Sequence, residues 1–175
     1  MLLEDEKIKF LQRNAAFRDA VASSVMHNKL YKNKNETEQN KLRVKIEWFK
    51  LLKDYSSKYE NGNKDWKHYL KDVESLHKNM NCESLIGTVD FKISHAQKSL
   101  SLYLKHLWCM GQIPEPPCCP IDSIVLSAAS IKGAWTKIIS PEEFKKVFLK
   151  VKNFAENQQM TIAVWELTAF NEMQN

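Results

Sequence analysis

The sequence predicts an all-α fold, and three observations support this. Only four of its 175 residues are glycine, and runs of β-branched residues are short. Hydrophobic residues make up 43% of the chain, which is enough to bury a core. Apolar residues recur with helical spacing through most segments. We therefore expect one compact, multi-helix domain over residues 1–175, arranged as two helical lobes.

Residues 1–80 are expected to form the N-terminal helices. An apolar stripe predicts a first helix from about Leu2 to His27. The lysine-rich stretch 28–40 is expected to be a solvated loop, with a phosphate-contacting arm as the alternative. A second helix is expected from about Thr37 to Tyr59 and a third from about Asp65 to Asn79, because Asn61-Gly62-Asn63 interrupts the pattern between them. The stripe predicted to be buried in the second helix comprises Leu42, Ile46, Phe49 and Leu52.

A central helix is predicted after residue 93. Ser94 followed by Gln97 matches a capping box, so the helix should begin at about His95. Its apolar face comprises Ala96, Leu100, Tyr103, Leu104, Leu107 and Trp108. Its opposite, polar face comprises Lys98, Ser101 and Lys105. Gly111 suits the position just beyond a helix C-terminus, and the helix cannot continue through the prolines at 114, 116, 117 and 120.

Two further helices and a short apolar segment are expected to close the chain. Asp122 is expected to cap a helix that extends to about Ser130, although the propensities of residues 124–126 also suit a strand. Residues 132–135 are expected to form a loop. Ser140, followed by proline and two glutamates, is a helix-start signal. The last helix is expected from about Thr161 to Glu172.

Composition restricts the partners and cofactors. The net charge of +5 suits a polyanionic partner without proving one. The four cysteines are Cys82, Cys109, Cys118 and Cys119. They lack paired Cys-x-x-Cys spacing, so we expect free thiols, no metal and no cofactor. No basic, apolar leader and no membrane-length apolar run is present, so we expect a cytoplasmic protein without a membrane partner.

Two charged residues are placed at predicted helix starts, Lys98 in His95-Ala96-Gln97-Lys98 and Asp122 in Pro120-Ile121-Asp122. They are separated by 122 − 98 = 24 positions. In this pattern the sequence resembles the helix-hairpin-helix DNA glycosylases, especially the 8-oxoguanine DNA glycosylase branches. The resemblance covers about Leu85 to Phe170 and implies a helix-hairpin-helix-like element, with a hairpin over Val89 to Ser94. The chain departs from the family in having no glycine within Ile93-Ser94-His95-Ala96.

The resemblance implies a function and a set of site residues. The chain would excise an oxidised or otherwise modified base from double-stranded DNA, with or without cleaving the strand at the abasic (AP) site as a lyase. Lys98 and Asp122 would be catalytic, with amine and carboxylate about 4–8 Å apart in a cleft between the lobes. The residues assigned to DNA contact are Ser94, His95, Gln97 and Lys105. The residues assigned to the wall of the base pocket are Trp108, Trp135, Phe144 and Trp165.

Simpler interpretations stay open for each of these residues. A lysine in a first helical turn is usually exposed and inert, Asp122 can serve only as an N-cap, and tryptophans usually belong to the core. Two other functions are therefore retained. The missing glycines favour a non-catalytic DNA-binding relative. The helices of mixed charge suit a protein–protein interaction module, such as a regulatory or defence-associated bundle.

Overall fold

The structure is a computed structural model that describes residues 3–13, 29–82, 85 and 87–172. Within these residues it contains seven α-helices and two short 3₁₀ helices, Ser57–Tyr59 and Trp135–Lys137. The α-helices are α1 (Leu3–Arg13), α2 (Glu38–Ser56), α3 (Trp66–Met80), α4 (Ile93–Cys109), α5 (Ser123–Ala128), α6 (Pro141–Asn157) and α7 (Ile162–Glu172). The all-α prediction is confirmed. The part of the predicted first helix after Arg13, up to His27, lies outside the described residues.

Four predicted helix starts are confirmed by their N-cap hydrogen bonds. Thr37 Oγ1 accepts from the Asn40 amide at 3.2 Å, and Ser140 Oγ accepts from the Glu143 amide at 3.2 Å. Asp65 and Asp122 cap α3 and α5 in the same way. These side chains satisfy amides that the first helical turn leaves without an intrahelical acceptor. Because Asp122 caps a helix, the strand alternative for residues 124–126 is wrong.

The predicted capping box of Ser94 and Gln97 is wrong. Helix α4 begins at Ile93, with Lys92 as the N-cap residue. The Nδ1 atom of His95 accepts from the Lys92 amide at 3.0 Å, so the histidine reaches back to the cap in place of Gln97. The side chains of Ser94 and Gln97 are fully buried. Tertiary packing around this first turn therefore determines where the helix begins.

Helix α4 lies at the centre of the fold and contacts α1, α2, α3 and α6. It is buried on almost every side, so the polar face with Ser101 and Lys105 lies in the interior. Its buried polar groups are bonded to other helices. The indole of Trp48 donates to Ser99 Oγ at 3.2 Å, and Ser101 bonds the hydroxyl of Tyr69. Because these hydroxyl groups keep hydrogen-bond partners, the serine-rich face can be buried without leaving polar groups unsatisfied.

Helix α2 is rotated relative to its predicted orientation. Leu42 and Ile46 were expected in the core, but they are 59% and 57% exposed. The buried residues of this helix are Val44, Trp48, Leu52, Tyr55 and Ser56. Trp48 has the largest side chain among them, and its indole must also reach Ser99 on α4. Burial of that ring, together with its hydrogen bond, accounts for the rotation.

An isolated antiparallel β-bridge joins Tyr31 to Val89 and leads into α4. The Lys32 amide donates to the Thr88 carbonyl at 3.0 Å, and the Asp90 amide donates to the Leu30 carbonyl at 2.9 Å. Residues 88–90 therefore pair with residues 30–32 in front of α4, and residues 93 and 94 of the predicted hairpin, Val89 to Ser94, belong to the helix. The Leu30 side chain is buried, so the expected solvated loop is anchored to the core at that residue.

The buried apolar side chains form one cluster that includes residues from all seven helices. The helices therefore share a single core, and the two predicted lobes do not each have a core of their own. None of the described helices combines the length and the apolar character needed to cross a bilayer.

Candidate active site

Lys98 and Asp122 meet in the structure. The Nζ atom of Lys98 lies 3.4 Å from Oδ2 of Asp122, closer than the expected range. The two side chains are 14% and 16% exposed, so the pair lies at the edge of the interior. The tertiary fold has thus brought together two residues that are 24 positions apart in the chain.

Each oxygen of the Asp122 carboxylate has its own role. Oδ1 accepts from the backbone amides of Ile124 and Val125 at 3.0 and 3.1 Å, which caps α5. Oδ2 is left to face the Lys98 ammonium. The cap therefore fixes the position of the carboxylate without occupying the oxygen that faces the lysine.

Gln97 holds the segment before Asp122 against α4. Its side-chain Nε2 donates to the Ile121 carbonyl at 2.7 Å, and its Oε1 accepts from the Ile121 amide at 3.1 Å. Gln97 precedes Lys98, and Ile121 precedes Asp122, so this two-point contact sets the register of the pair. Both residues are fully buried, which strengthens the geometric constraint.

Trp135 also contacts Lys98. The Nζ atom lies 4.6 Å from the ring centroid of Trp135, within the range of a cation–π interaction. Trp135 begins the second 3₁₀ helix, which packs on α4. Lys98 therefore has a carboxylate on one side and an aromatic ring on another. Of the four aromatic residues predicted to line a base pocket, Trp135 is the one in direct contact with Lys98.

The other three predicted pocket residues are separated in the structure. Trp108 packs beneath the Lys7 ammonium, which is 4.9 Å from its ring. Phe144 packs against Tyr69 and Phe148, and Trp165 packs edge-on against Phe154 at 5.3 Å. A common pocket wall of Trp108, Trp135, Phe144 and Trp165 is therefore not formed. These rings are buried in the shared core because their large apolar area favours burial.

The four residues predicted to contact DNA are all buried: Ser94, His95, Gln97 and Lys105. A side chain without exposed surface cannot reach a phosphate at the protein surface. We therefore do not assign DNA contact to these four residues, and three of them have contacts that stabilise the fold. His95 bonds the helix start, Gln97 bonds Ile121, and Lys105 forms a second ion pair.

That second pair joins Lys105 to Glu166 of α7, a residue that the sequence interpretation missed. The lysine Nζ lies 2.8–2.9 Å from both carboxylate oxygens, and the side chains are 4% and 3% exposed. The rings of Phe10 and Phe170 also lie 4.2 and 4.6 Å from the ammonium. Burial raises the pKa of the Glu166 carboxyl, and the Lys105 ammonium opposes that shift. The available signal was Glu166 itself, a single charge inside the apolar run 162–170.

The buried thiols do not offer a competing nucleophile. Burial raises the pKa of Cys109 to about 11 and raises that of Cys118 and Cys119 as well. A thiol with a raised pKa carries little of the reactive thiolate. Among the residues that the structure describes, no group of three or more histidine, cysteine, aspartate or glutamate side chains is placed to hold a metal ion.

Comparison of the chain with family models, with curated proteins and with solved structures gives no match. The functional interpretation therefore depends on the residues and the geometry described above.

Proposed function

We propose that this chain is a DNA glycosylase that releases a modified base, with Lys98 as nucleophile and Asp122 as its carboxylate partner. The observation that supports the proposal is the 3.4 Å approach of the two side chains. The resemblance implied this pair from residues that are distant in sequence, and the tertiary fold brings them into contact.

The chemistry needs an amine and a carboxylate at one sugar carbon. Attack by the neutral Lys98 amine forms an N–C1′ bond while the C1′–base bond breaks, and the base leaves with the electron pair and gains a proton. Oδ2 of Asp122 faces Nζ, and as a carboxylate it can stabilise the positive charge that develops at C1′, while the proton that Nζ loses after attack passes to the departing base. Opening of the sugar ring would give a Schiff base, the intermediate of lyase chemistry, which borohydride reduces.

The surroundings of the pair suit this role. Lys98 and Asp122 retain some exposure, so a sugar could approach them after extrusion from the duplex. Trp135 supplies an aromatic surface beside the amine. Gln97 and the α5 cap hold the carboxylate in place before substrate arrives. Such prior positioning favours reaction because it reduces the reorganisation needed at the reacting centre.

The test is a borohydride-trapping panel. The purified chain is incubated with duplexes that each carry a different modified base, with and without borohydride, and base release and covalent adducts are measured. We expect release of at least one base and a trapped adduct that Lys98→Ala abolishes. Lys137→Ala serves as the matched control, because Lys137 is exposed and lies two residues from Trp135. Absence of both release and adduct across the panel would overturn the enzymatic proposal.

A non-catalytic DNA-binding protein is the second candidate. It is favoured by the departure from the glycosylase pattern at Ile93-Ser94-His95-Ala96, which contains no glycine, while the net charge of +5 suits a polyanionic partner. Duplex binding that weakens steeply with salt, without product or adduct, would support this candidate. Trapping of an adduct at Lys98 would exclude it.

A further inference from the structure

A groove of about 400 Å³ lies between α3 and α6, apart from the candidate active site. Its floor is apolar and includes the buried side chains of Val73, Ile93 and Phe144. Neither Lys98 nor Asp122 lines it. Its volume is at the small end of the range for ligand sites, about 300–1,000 Å³. The groove therefore suits a ligand that has one compact apolar part.

The lining of the groove includes an aromatic ring and a cation next to each other. Trp66 stacks on Phe148, with centroids 6.3 Å apart and planes inclined by 27°, so its ring is supported from behind. The Lys67 ammonium lies 5.6 Å from the centroid of Trp66. Aromatic side chains held in this way act as stacking platforms for bases.

The charged side chains around the groove favour an anion. Three lysines line it, Lys67, Lys71 and Lys145, against two glutamates. One of those glutamates, Glu74, is already bonded to Lys78 at 2.8 Å, and Lys78 lies outside the lining. The lining therefore carries a positive excess next to an apolar floor.

We propose that this groove binds a nucleoside monophosphate, with the base against the apolar and aromatic surface and the phosphate at the lysines. A phosphate suits several flexible ammonium groups, and a base has the flat π-face that an aromatic platform accepts. The proposal goes beyond the proposed function and does not depend on it. A base and a phosphate joined through one sugar occur both in a free nucleotide and in a DNA strand, so either could be the ligand.

The first experiment compares three probes with the full chain by calorimetry and by the NMR signals of the tryptophan indoles. The probes are dAMP, deoxyadenosine without phosphate, and inorganic phosphate without a base. We expect dAMP to bind, with the Trp66 indole signal shifted, and each fragment to bind about ten-fold more weakly or less. A dAMP affinity weaker than about 10 mM, or equal affinity for phosphate alone, would overturn the proposal.

The second experiment uses charge reversal on the groove and a matched reversal outside it. The double variant Lys71→Glu with Lys145→Glu should weaken dAMP binding about ten-fold or more. The control, Lys146→Glu with Lys150→Glu, changes two exposed lysines of α6 that do not line the groove. It should stay within about two-fold of the unmodified chain. Equal losses in both double variants would show a general effect of charge and would also overturn the proposal.

A single-stranded oligonucleotide distinguishes the two sources of the nucleotide. If it binds more tightly than dAMP and loses affinity in the groove variant, a DNA strand is the source. If it binds no more tightly than dAMP, a free nucleotide is the source. Either result supports the proposal that the groove binds a nucleotide. The two proposals can fail separately, because dAMP binding is measured without a duplex that carries a modified base and the adduct at Lys98 is measured without dAMP.

Discussion

Helix α4 carries two lysines that differ in their surroundings, although each forms an ion pair with a carboxylate from later in the chain. Lys98 and Lys105 are 105 − 98 = 7 positions apart, or about two helical turns. Lys98 meets Asp122 at the start of α5, and Lys105 meets Glu166 in α7. Each ammonium also lies over an aromatic ring. The pairs differ in burial, with 14% and 16% exposure for the first and 4% and 3% for the second.

The difference in burial distinguishes a pair that a ligand can reach from a pair that can only stabilise the fold. A fully buried pair cannot receive a substrate, and its members depend on each other because an unpaired charge in the interior is very unfavourable. A partly exposed pair contributes less to stability and leaves its groups open to a ligand. We therefore assign a structural role to Lys105 and Glu166, and we keep the catalytic proposal for Lys98 and Asp122. The charges of Asp122 and Lys98 also act on the pKa of Glu166, so the two pairs are electrostatically coupled.

The largest effect is expected from breaking the buried pair. Lys105→Met leaves Glu166 without its cation and should reduce the free energy of unfolding by about 3–5 kcal/mol. Lys98→Met should reduce it by about 1 kcal/mol or less, because that pair is partly exposed. Urea denaturation of both variants measures the difference. Equal losses would contradict the distinction between the pairs.

A double substitution refines this prediction. Lys105→Met with Glu166→Leu removes both buried charges and should recover most of the lost stability, since an apolar pair of similar volume needs no compensating charge. If the double variant is less stable than Lys105→Met alone, the pair contributes more than the mutual neutralisation of its charges.

The next effect is expected at Gln97, which positions the partly exposed pair of Lys98 and Asp122. Gln97→Met keeps the approximate volume but removes both hydrogen bonds to Ile121. The stranded backbone amide and carbonyl should lower the free energy of unfolding by about 2–3 kcal/mol. We also expect trapping at Lys98 to decline at temperatures where the variant stays folded, because Asp122 is no longer held in register. Full trapping activity in a folded variant would contradict the positioning role.

The buried pair should also give the protein a specific pH dependence. In the folded state the pKa of Glu166 is raised above its ordinary value of 4.5. At a pH between 4.5 and that raised pKa, Glu166 therefore holds a proton in the folded state that it has lost in the unfolded state. The contribution of this group to stability is thus fully present below pH 4.5 and is lost as the pH rises through the folded pKa. The difference in unfolding free energy between the unmodified chain and Glu166→Gln should therefore shift in favour of the unmodified chain as the pH is lowered. A difference that does not vary with pH would contradict this assignment.

The smallest change in stability is expected for Asp122→Asn. Asparagine caps a helix about as well as aspartate, so only the ion pair is lost and the free energy of unfolding should fall by about 1 kcal/mol or less. Asp122→Ala removes the cap as well and should reduce stability by about 1 kcal/mol more. Base release should disappear in both variants. Retained release in Asp122→Asn would show that the carboxylate acts only as a cap.

The sequence predicted much of the fold and only part of the candidate site. Local signals were reliable where the physics is local, as at Thr37, Asp65 and Ser140, whose side chains bond amides two or three positions along the chain. The rotation of α2 could not be predicted, because it follows from the contact of Trp48 with Ser99 on another helix. The spread of Trp108, Phe144 and Trp165 through the core was missed for the same reason, since helical spacing does not show which helix lies opposite.

By itself, the sequence determined an all-α chain, most of its helix starts, and the position of Asp122 at one of those starts. Only the tertiary structure decided that Lys98 meets Asp122, that Lys105 turns inward to Glu166, and that Gln97 bonds the backbone of Ile121. Caps and periodicity depend on interactions within a few residues. Burial and ion pairing between distant residues depend on which surfaces the helices present to one another, and a helical pattern does not specify that arrangement.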